Sequence, residues 1–168
     1  MKLWQLVAIG ALGALLVRAY VVEGIVIASE SMEPDLAVGR HLFVNKLAYR
    51  FSDPKRGDIV VFPSPVEAKK GLVKRVIAIE GDDVKIVDKK IVLNGQALDE
   101  PYAVHRREGE KFTDDNMDVG RVPRGCVFVL GDNRDVSGDS RDWKDSKSGE
   151  PIRFIRVNDL TGKILDIS

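Results

Sequence analysis

From Leu3 to Val17 the chain carries no charge, and after Arg18 the apolar character resumes through Ala19, Tyr20, Val21 and Val22. Read as one helix, this run reaches ~30 Å, about one bilayer core. Residues 1–22 are therefore predicted to be a membrane anchor helix, in which Gly10 and Gly13 are tolerated and Arg18 extends its charge to the interface. Trp4 and Tyr20 stand as interfacial aromatics at its two ends. The rival readings are a cleaved secretory signal, with Lys2 before the run and Ala28 ahead of a cut, and a buried core helix. Lys2 and the amino terminus face only Arg18 across the segment, so charge leaves its orientation open.

From Gly24 onward the pattern changes to short β-rich runs separated by glycine, proline and acidic residues, which predicts a mostly antiparallel sheet over residues 23–168. The expected strands are Ile25 to Ala28, His41 to Asn45, Ile59 to Phe62, Leu72 to Glu80, Val84 to Val87, Lys90 to Leu93 and Cys126 to Leu130. Asp88-Lys89 and Asn94-Gly95 have the composition of hairpin turns, and Arg56-Gly57-Asp58 of another turn. No second long amphipathic helix follows residue 22, which argues against a parallel α/β architecture. The charged stretch near 103–121 reads as an exposed loop or ribbon, and 142–150 as a polar insertion. A last strand pair is expected around Ile152 to Val157 and Gly162 to Ile167.

Composition narrows the function classes. A chain of 168 residues is one domain, or one domain plus an appendage. Lysine and arginine, 26 together, balance 26 aspartates and glutamates, so bulk charge gives no argument for a nucleic-acid partner. The single cysteine, Cys126, excludes an intrachain disulfide, and with two histidines it excludes a zinc-finger cluster.

The most informative stretch is Ser29-Glu30-Ser31-Met32-Glu33-Pro34-Asp35-Leu36, where two serines flank one residue just before a proline that forces a turning backbone. A serine hydroxyl is a weak nucleophile until a base removes its proton, so a base is needed from elsewhere. His41 alternates with Phe43 in an expected strand and His105 lies among arginines, which suits structural or solvated roles better than catalysis. A lysine can serve if burial lowers its pKa, and Lys74, within Leu72-Val73-Lys74-Arg75-Val76-Ile77-Ala78-Ile79, fits best. Alternation puts Lys74 and Arg75 on opposite apolar faces; the competing reading is an edge strand with two solvated cations. The stretch Gly131 to Arg141 has three open readings: a calcium loop using Asp132, Asp135, Ser137 and Asp139, a plain polar loop, or a shell in which Ser137 orients an uncharged lysine and Asp139 pairs with Arg141. Ser52-Asp53-Pro54-Lys55 matches a Ser-x-x-Lys spacing, but Pro54 makes it a turn rather than a helical pair.

In order and spacing these stretches resemble the bacterial type I signal peptidases, membrane-anchored Ser-Lys serine proteases. The resemblance runs from Val17-Arg18-Ala19-Tyr20 into Ser29 to Pro34, then through Gly39 to Lys46, Arg56 to Phe62, Val73 to Ala78 with Gly81-Asp82, Leu93-Asn94-Gly95 and Gly131 to Arg141. It implies that Ser31 is the nucleophile and Lys74 the general base, and that Ser29 joins the Ser31 main-chain N–H in an oxyanion hole. It further implies that Ser137 orients the Lys74 amine while Gly131, Asp132, Asp139 and Arg141 shape the wall around it. No cofactor or metal is implied. The implied substrates are secreted preproteins with small side chains one and three residues before the cut. The implied setting is the cytoplasmic membrane, crossed once, with the amino terminus in the cytoplasm and a barrel-like β domain on the outer face. Departures from the family pattern are Asp35 for a usual threonine or serine, Val136 for a usual asparagine, and the insertion after Arg141. Outside the enzymes, the competing hypothesis is a membrane-anchored β domain that binds calcium or a protein partner without catalysis.

Overall fold

A computed structural model describes residues 2–107 and 115–165, apart from the side chains at positions 14 and 16–19. The apolar run forms helix α1 (Leu3–Tyr20), and the chain passes directly into strand β1 (Val22–Val26), so the helix ends two residues short of the expected boundary and the strand begins early. Leu3, Trp4, Leu6, Val7, Ile9, Leu12 and Leu15 are all more than half exposed. Among the described residues, no helix is long and apolar enough to cross a membrane.

The remaining elements are β2 (His41–Asn45), α2 (Ala48–Phe51), β3 (Ile59–Pro63), β4 (Gly71–Ile79), β5 (Asp83–Val87), β6 (Lys90–Leu93), β7 (Gln96–Ala97), β8 (Met117–Arg121), β9 (Cys126–Leu130), β10 (Ile155–Arg156) and β11 (Gly162–Ile164). They build a seven-stranded sheet in the order β1-β2-β11-β3-β4-β9-β10 and a four-stranded sheet in the order β7-β6-β5-β8. Neighbouring strands pair antiparallel, and the larger sheet curls into a half-barrel, in agreement with the alternating pattern. The β5–β6 and β6–β7 connections are tight because Asp88, Lys89, Asn94 and Gly95 all take positive φ, which fits two-residue turns between twisted strands.

Two expectations are corrected. The final strands do not pair with each other: β10 adds to β9, a 3-10 turn (Val157–Asp159) follows, and β11 inserts between β2 and β3. Part of the expected exposed ribbon is strand β8, paired with β5, and it buries Val119; positions 108–114 lie outside the described residues. Only one residue of β8 is fully buried, so alternation is weak there.

Three apolar clusters hold the fold. Ile77, Ala78, Phe128 and Leu130 pack with Val84, Ile86, Ile91, Leu93, Val119 and Val122, which joins the two sheets. Val60, Phe62, Val76, Val127, Val129, Ile155 and Trp143 fill a second cluster, where Trp143 meets Phe62 edge-on with ring centroids 5.9 Å apart. Ile27, Met32, Leu36, Leu42, Val44 and Ile164 form the third.

Phe128 is fully buried and packs edge-on against Phe154 at 6.4 Å, whereas Phe51 is 84% exposed. Phe128→Ala is expected to cost ~3–5 kcal/mol and Phe51→Ala no more than ~0.5 kcal/mol, read from denaturant melts of the two variants. Equal losses would mean that the sheet-joining cluster does not carry the fold.

Candidate active site

The serine pair occupies a single 3-10 turn, Glu30–Met32, with Ser29 extended before it. Met32, only 1% exposed, and Leu36 drive this turn into the third cluster, so the intervening hydroxyl is fixed by its apolar neighbours. Ser29 Oγ and Ser31 Oγ lie 3.2 Å apart. The loop after β9 holds the turn from the other side, as the Asn133 N–H donates to the Ser31 carbonyl oxygen at 3.1 Å and the Asn133 side-chain amide to the Glu30 carbonyl at 3.3 Å.

Strand β4 is interior, between β3 and β9, and this removes the edge-strand reading. Lys74 and Arg75 are both buried, on opposite faces. Arg75 is enclosed by ligands: Nε and Nη2 donate to the two Asp132 carboxylate oxygens at 2.8 and 2.6 Å, Nη2 also to Asp35 at 2.7 Å, and Nη1 to the Gly57 carbonyl at 3.1 Å. The Tyr102 ring lies 4.2 Å from its guanidinium carbon. Asp35, an oddity in sequence, is thus the second carboxylate of a buried arginine and ties the serine loop to β4.

Lys74 is 2% exposed, and its amine makes no hydrogen bond or ion pair with a described residue. Burial pushes its pKa down to about 8. Of the nearby charges, Asp139 acts to raise it, Arg141 to lower it, and Asp132 and Asp142 to raise it. Asp139 is fully buried, which works against its charge, yet Arg141 and the Gly131 N–H hold its carboxylate below the usual range. Arg141 Nε and Nη2 reach the two Asp139 oxygens at 2.8 and 3.0 Å, and the Gly131 N–H donates at 3.1 Å.

Gly131 carries no side chain for a steric reason. A Cβ there would collide with the Ser137 hydroxyl and the Ser31 carbonyl oxygen, so glycine is what allows the two serine-bearing loops to meet. The Ser137 Oγ is buried and faces the Asp139 carboxylate, which it helps to hold below the usual range. The expected hydrogen bond from Ser137 to the Lys74 amine is not formed here; Ser137 lines a separate cavity with Arg134 and Arg141, whereas Lys74 lines the cleft of the paired serines.

Ser29, Ser31 and Lys74 line one open cleft of about 400 Å³ with Val136, Gly138 and Trp143, and the β3–β4 connection contributes Ser64, Val66, Glu67 and Lys70. Trp143 and this connection were not singled out in the sequence reading; Trp143 lies in a polar insertion and the connection carries no motif. Neither His41 nor His105 lines this cleft. The carboxylates of the 131–141 loop are divided among separate partners: Asp132 on Arg75, Asp139 on Arg141, and Asp135 accepting from the Arg107 N–H at 2.6 Å. Among the described residues no group of histidine, cysteine and carboxylate side chains could hold a metal ion. The Ser52 hydroxyl donates to the Ala48 carbonyl at 2.7 Å and caps α2, a local role.

The family model described as signal peptidase, peptidase S26, matches residues 1–166. A signal peptidase I from Bacillus caldolyticus is 35% identical over 155 residues, covering 88% of this chain and 79% of the relative. One from Bacillus licheniformis is 41% identical over 133 residues, covering 76% and 70%. The solved structure of a signal peptidase I from Enterococcus faecalis V583 matches with a TM-score of 0.53 at 28% identity, covering 68% of this chain and 98% of that one. With a family match over nearly its whole length and relatives above a third identical, the chain belongs to the signal peptidase family, peptidase S26, a family of serine endopeptidases that cleave signal peptides.

Proposed function

We propose that the chain removes signal peptides from secreted preproteins with Ser31 as nucleophile and Lys74 as general base. The observation that carries this reading is a buried lysine, its pKa lowered to about 8, opening into the same cleft as the paired serines. At that pKa an appreciable fraction of Lys74 is neutral near pH 7.5, so its lone pair can take the Ser31 proton as Oγ attacks the scissile carbonyl. The Ser31 main-chain N–H and the Ser29 hydroxyl face the developing oxyanion. Lys74 then hands its proton to the leaving amine. In the second half Lys74 takes a proton from water, the resulting hydroxide attacks the acyl-enzyme, and the proton returns to Ser31. Gly131, Asp132, Ser137, Asp139 and Arg141 keep the lysine wall in place without supplying a counterion to the amine.

An extended preprotein segment with small residues one and three positions before the cut would lie in this cleft, where Trp143, Val136 and Leu72 restrict side-chain size. The apolar, outward-facing α1 would anchor the enzyme in the cytoplasmic membrane, with its amino terminus in the cytoplasm and the β domain outside. Enzyme and signal peptide would then share one bilayer surface, which raises their effective concentration.

With detergent-solubilised full-length protein and a preprotein carrying an Ala-x-Ala site, Ser31→Ala and Lys74→Ala are each expected to lose at least ~10²–10⁴-fold in kcat/KM while remaining cooperatively folded. Full activity in either variant would overturn the Ser-Lys assignment.

The wild-type rate should rise about tenfold per pH unit on the acid side and level off above the Lys74 pKa of about 8, because only the neutral amine is a base. A limb centred near 6.5 would point to a histidine instead.

Burying Lys74 also has a cost in stability. The folded state loses this proton near pH 8 and the unfolded state near 10.5, so between those values the unfolded chain binds more protons and stability rises with pH. Below pH 8 the penalty is complete, on the order of 3 kcal/mol. Lys74→Met is expected to be inactive, more stable than wild type at pH 7 by roughly this amount, and to lose the advantage as pH climbs towards 10. Taking the difference between the two proteins cancels the contributions of Tyr49 and Tyr102. A variant less stable than wild type at pH 7 would show that the lysine is not held at a cost.

A further inference from the structure

Glu30, the residue between the two serines, also lines the cleft, and its side chain is 60% exposed. The turn that carries it is pinned, because the Glu30 carbonyl accepts from the Asn133 side-chain amide at 3.3 Å and from the Glu33 N–H at 3.1 Å. Its carboxylate therefore stands on a fixed stem, one residue from the candidate nucleophile. The nearest opposite charge comes from a distant segment. Arg106 donates to Glu33 at 2.5 Å but only approaches Glu30, at 3.8 Å, too far for a hydrogen bond. One guanidinium thus serves two carboxylates, and Glu30 has the poorer share. The stretch bearing Arg106 is itself anchored, as the Val104 N–H donates to the Asp132 carbonyl at 2.9 Å and the Arg107 N–H to Asp135 at 2.6 Å. The other charges of the cleft compensate one another or are absent in the reactive state: Glu67 and Lys70 pair at 2.7 Å, and Lys74 is uncharged when it acts as a base. Glu30, Glu33 and Arg106 together leave one net negative charge beside Ser31.

We infer that Glu30 is a specificity-determining residue: it makes the cleft prefer preproteins with lysine or arginine beside the cut over neutral ones, and select against acidic ones. This deepens the Ser-Lys reading and rests on it for the position of the cut. Side chains alternate along an extended segment, so when those at minus one and minus three enter the apolar walls, the one at minus two points away from them. The charges open to selection therefore sit at minus two, plus one and plus two. Across a solvent-open mouth the attraction is screened, which sets its scale at ~3–10-fold in kcat/KM per unit of charge. Arg106 is the counterweight. Without it the same carboxylate is less offset and the preference becomes steeper, whereas the loss of a purely structural Arg106 would slow every substrate alike.

The test uses full-length protein in an uncharged detergent at low ionic strength, above the Lys74 pKa of about 8, so that the lysine adds no charge of its own. One preprotein with an Ala-x-Ala site is made in Lys, Gln and Glu versions at each of the positions minus two, plus one and plus two. For wild type, kcat/KM is expected to fall from Lys to Gln to Glu at one or more of these positions, by ~10–100-fold over the two units of charge, and to fall less steeply when salt is raised. Glu30→Gln is expected to bring the three versions within about twofold while cleaving the Gln version at close to the wild-type rate, and Glu30→Lys to reverse the order. Arg106→Gln is expected to widen the Lys-to-Glu ratio about threefold. Equal cleavage of the three versions at all three positions overturns the proposal, as does a ranking that survives Glu30→Gln or an Arg106→Gln protein that is slower on every version with its ratio unchanged. Should Glu30→Lys disturb the serine turn, Glu30→Gln and Arg106→Gln still carry the test, since they move the ratio in opposite directions. Failure of the Ser-Lys reading shows separately, as cleavage that survives Lys74→Ala with the charge ranking intact.

Discussion

The proposed Ser-Lys chemistry depends on a lysine kept out of water and denied a counterion. A buried amine beside carboxylates would ordinarily form an ion pair and stay protonated, which would remove its use as a base. Here the carboxylates near Lys74 are already engaged. Asp132 is gripped by the Arg75 fork on the opposite face of β4, and Asp139 by Arg141. Each arginine cancels a charge that would otherwise settle on the lysine, and burial then decides the balance in favour of the neutral form. Removing one member of such a pair would leave a buried charge uncompensated, a loss of ~3–5 kcal/mol, so the pairs hold together both the fold and the surroundings of the proposed base.

Three stretches far apart in sequence have to meet for this to work, and packing brings them there. Met32 and Leu36 sink the serine turn into an apolar cluster against β2 and β11. Pairing of β4 with both β3 and β9 fixes the lysine in the middle of the larger sheet, with a register shift between Val76 and Ala78 where β4 meets β9. The absent side chain at Gly131 then lets the loop after β9 close on the Ser31 carbonyl. None of these contacts is strong alone. Together they leave the Ser31 hydroxyl little freedom except towards the cleft.

Much of this was legible in the chain because strands with one buried face alternate. The limits of β2, β6 and β9 agree with their apolar runs, and both hairpin turns fall at the expected dipeptides. Lys74 was legible as chemistry but not as geometry, since a strand buried on both faces has no alternation to say which cation is enclosed. Its neighbour settles the matter only in three dimensions, where Arg75 finds Asp132 57 positions away and Asp35 40 positions away. The pairing of β10 and β11 was missed for a related reason: segments of two and three residues contain too few positions to specify a partner.

The departures from the family pattern become intelligible on the same terms. A threonine or serine at position 35 could not supply the charge that Asp35 gives to Arg75, and the carboxylate adds a tether between the serine loop and the lysine strand. The polar insertion is a closed local turn: the Asp145 carboxylate accepts from the Lys147 and Ser148 N–H groups at 2.9 and 2.8 Å, and the Ile152 N–H returns to the Trp143 carbonyl at 2.8 Å. Because the turn closes on itself, its polar residues remain exposed while Trp143 at its base points inward, onto Phe62 and the wall of the cleft. An insertion that reads as solvated loop thus ends by placing the largest apolar side chain of the site. Val136, where an asparagine is usual, adds a further apolar side chain to the lining of the same cleft, though it stays 44% exposed.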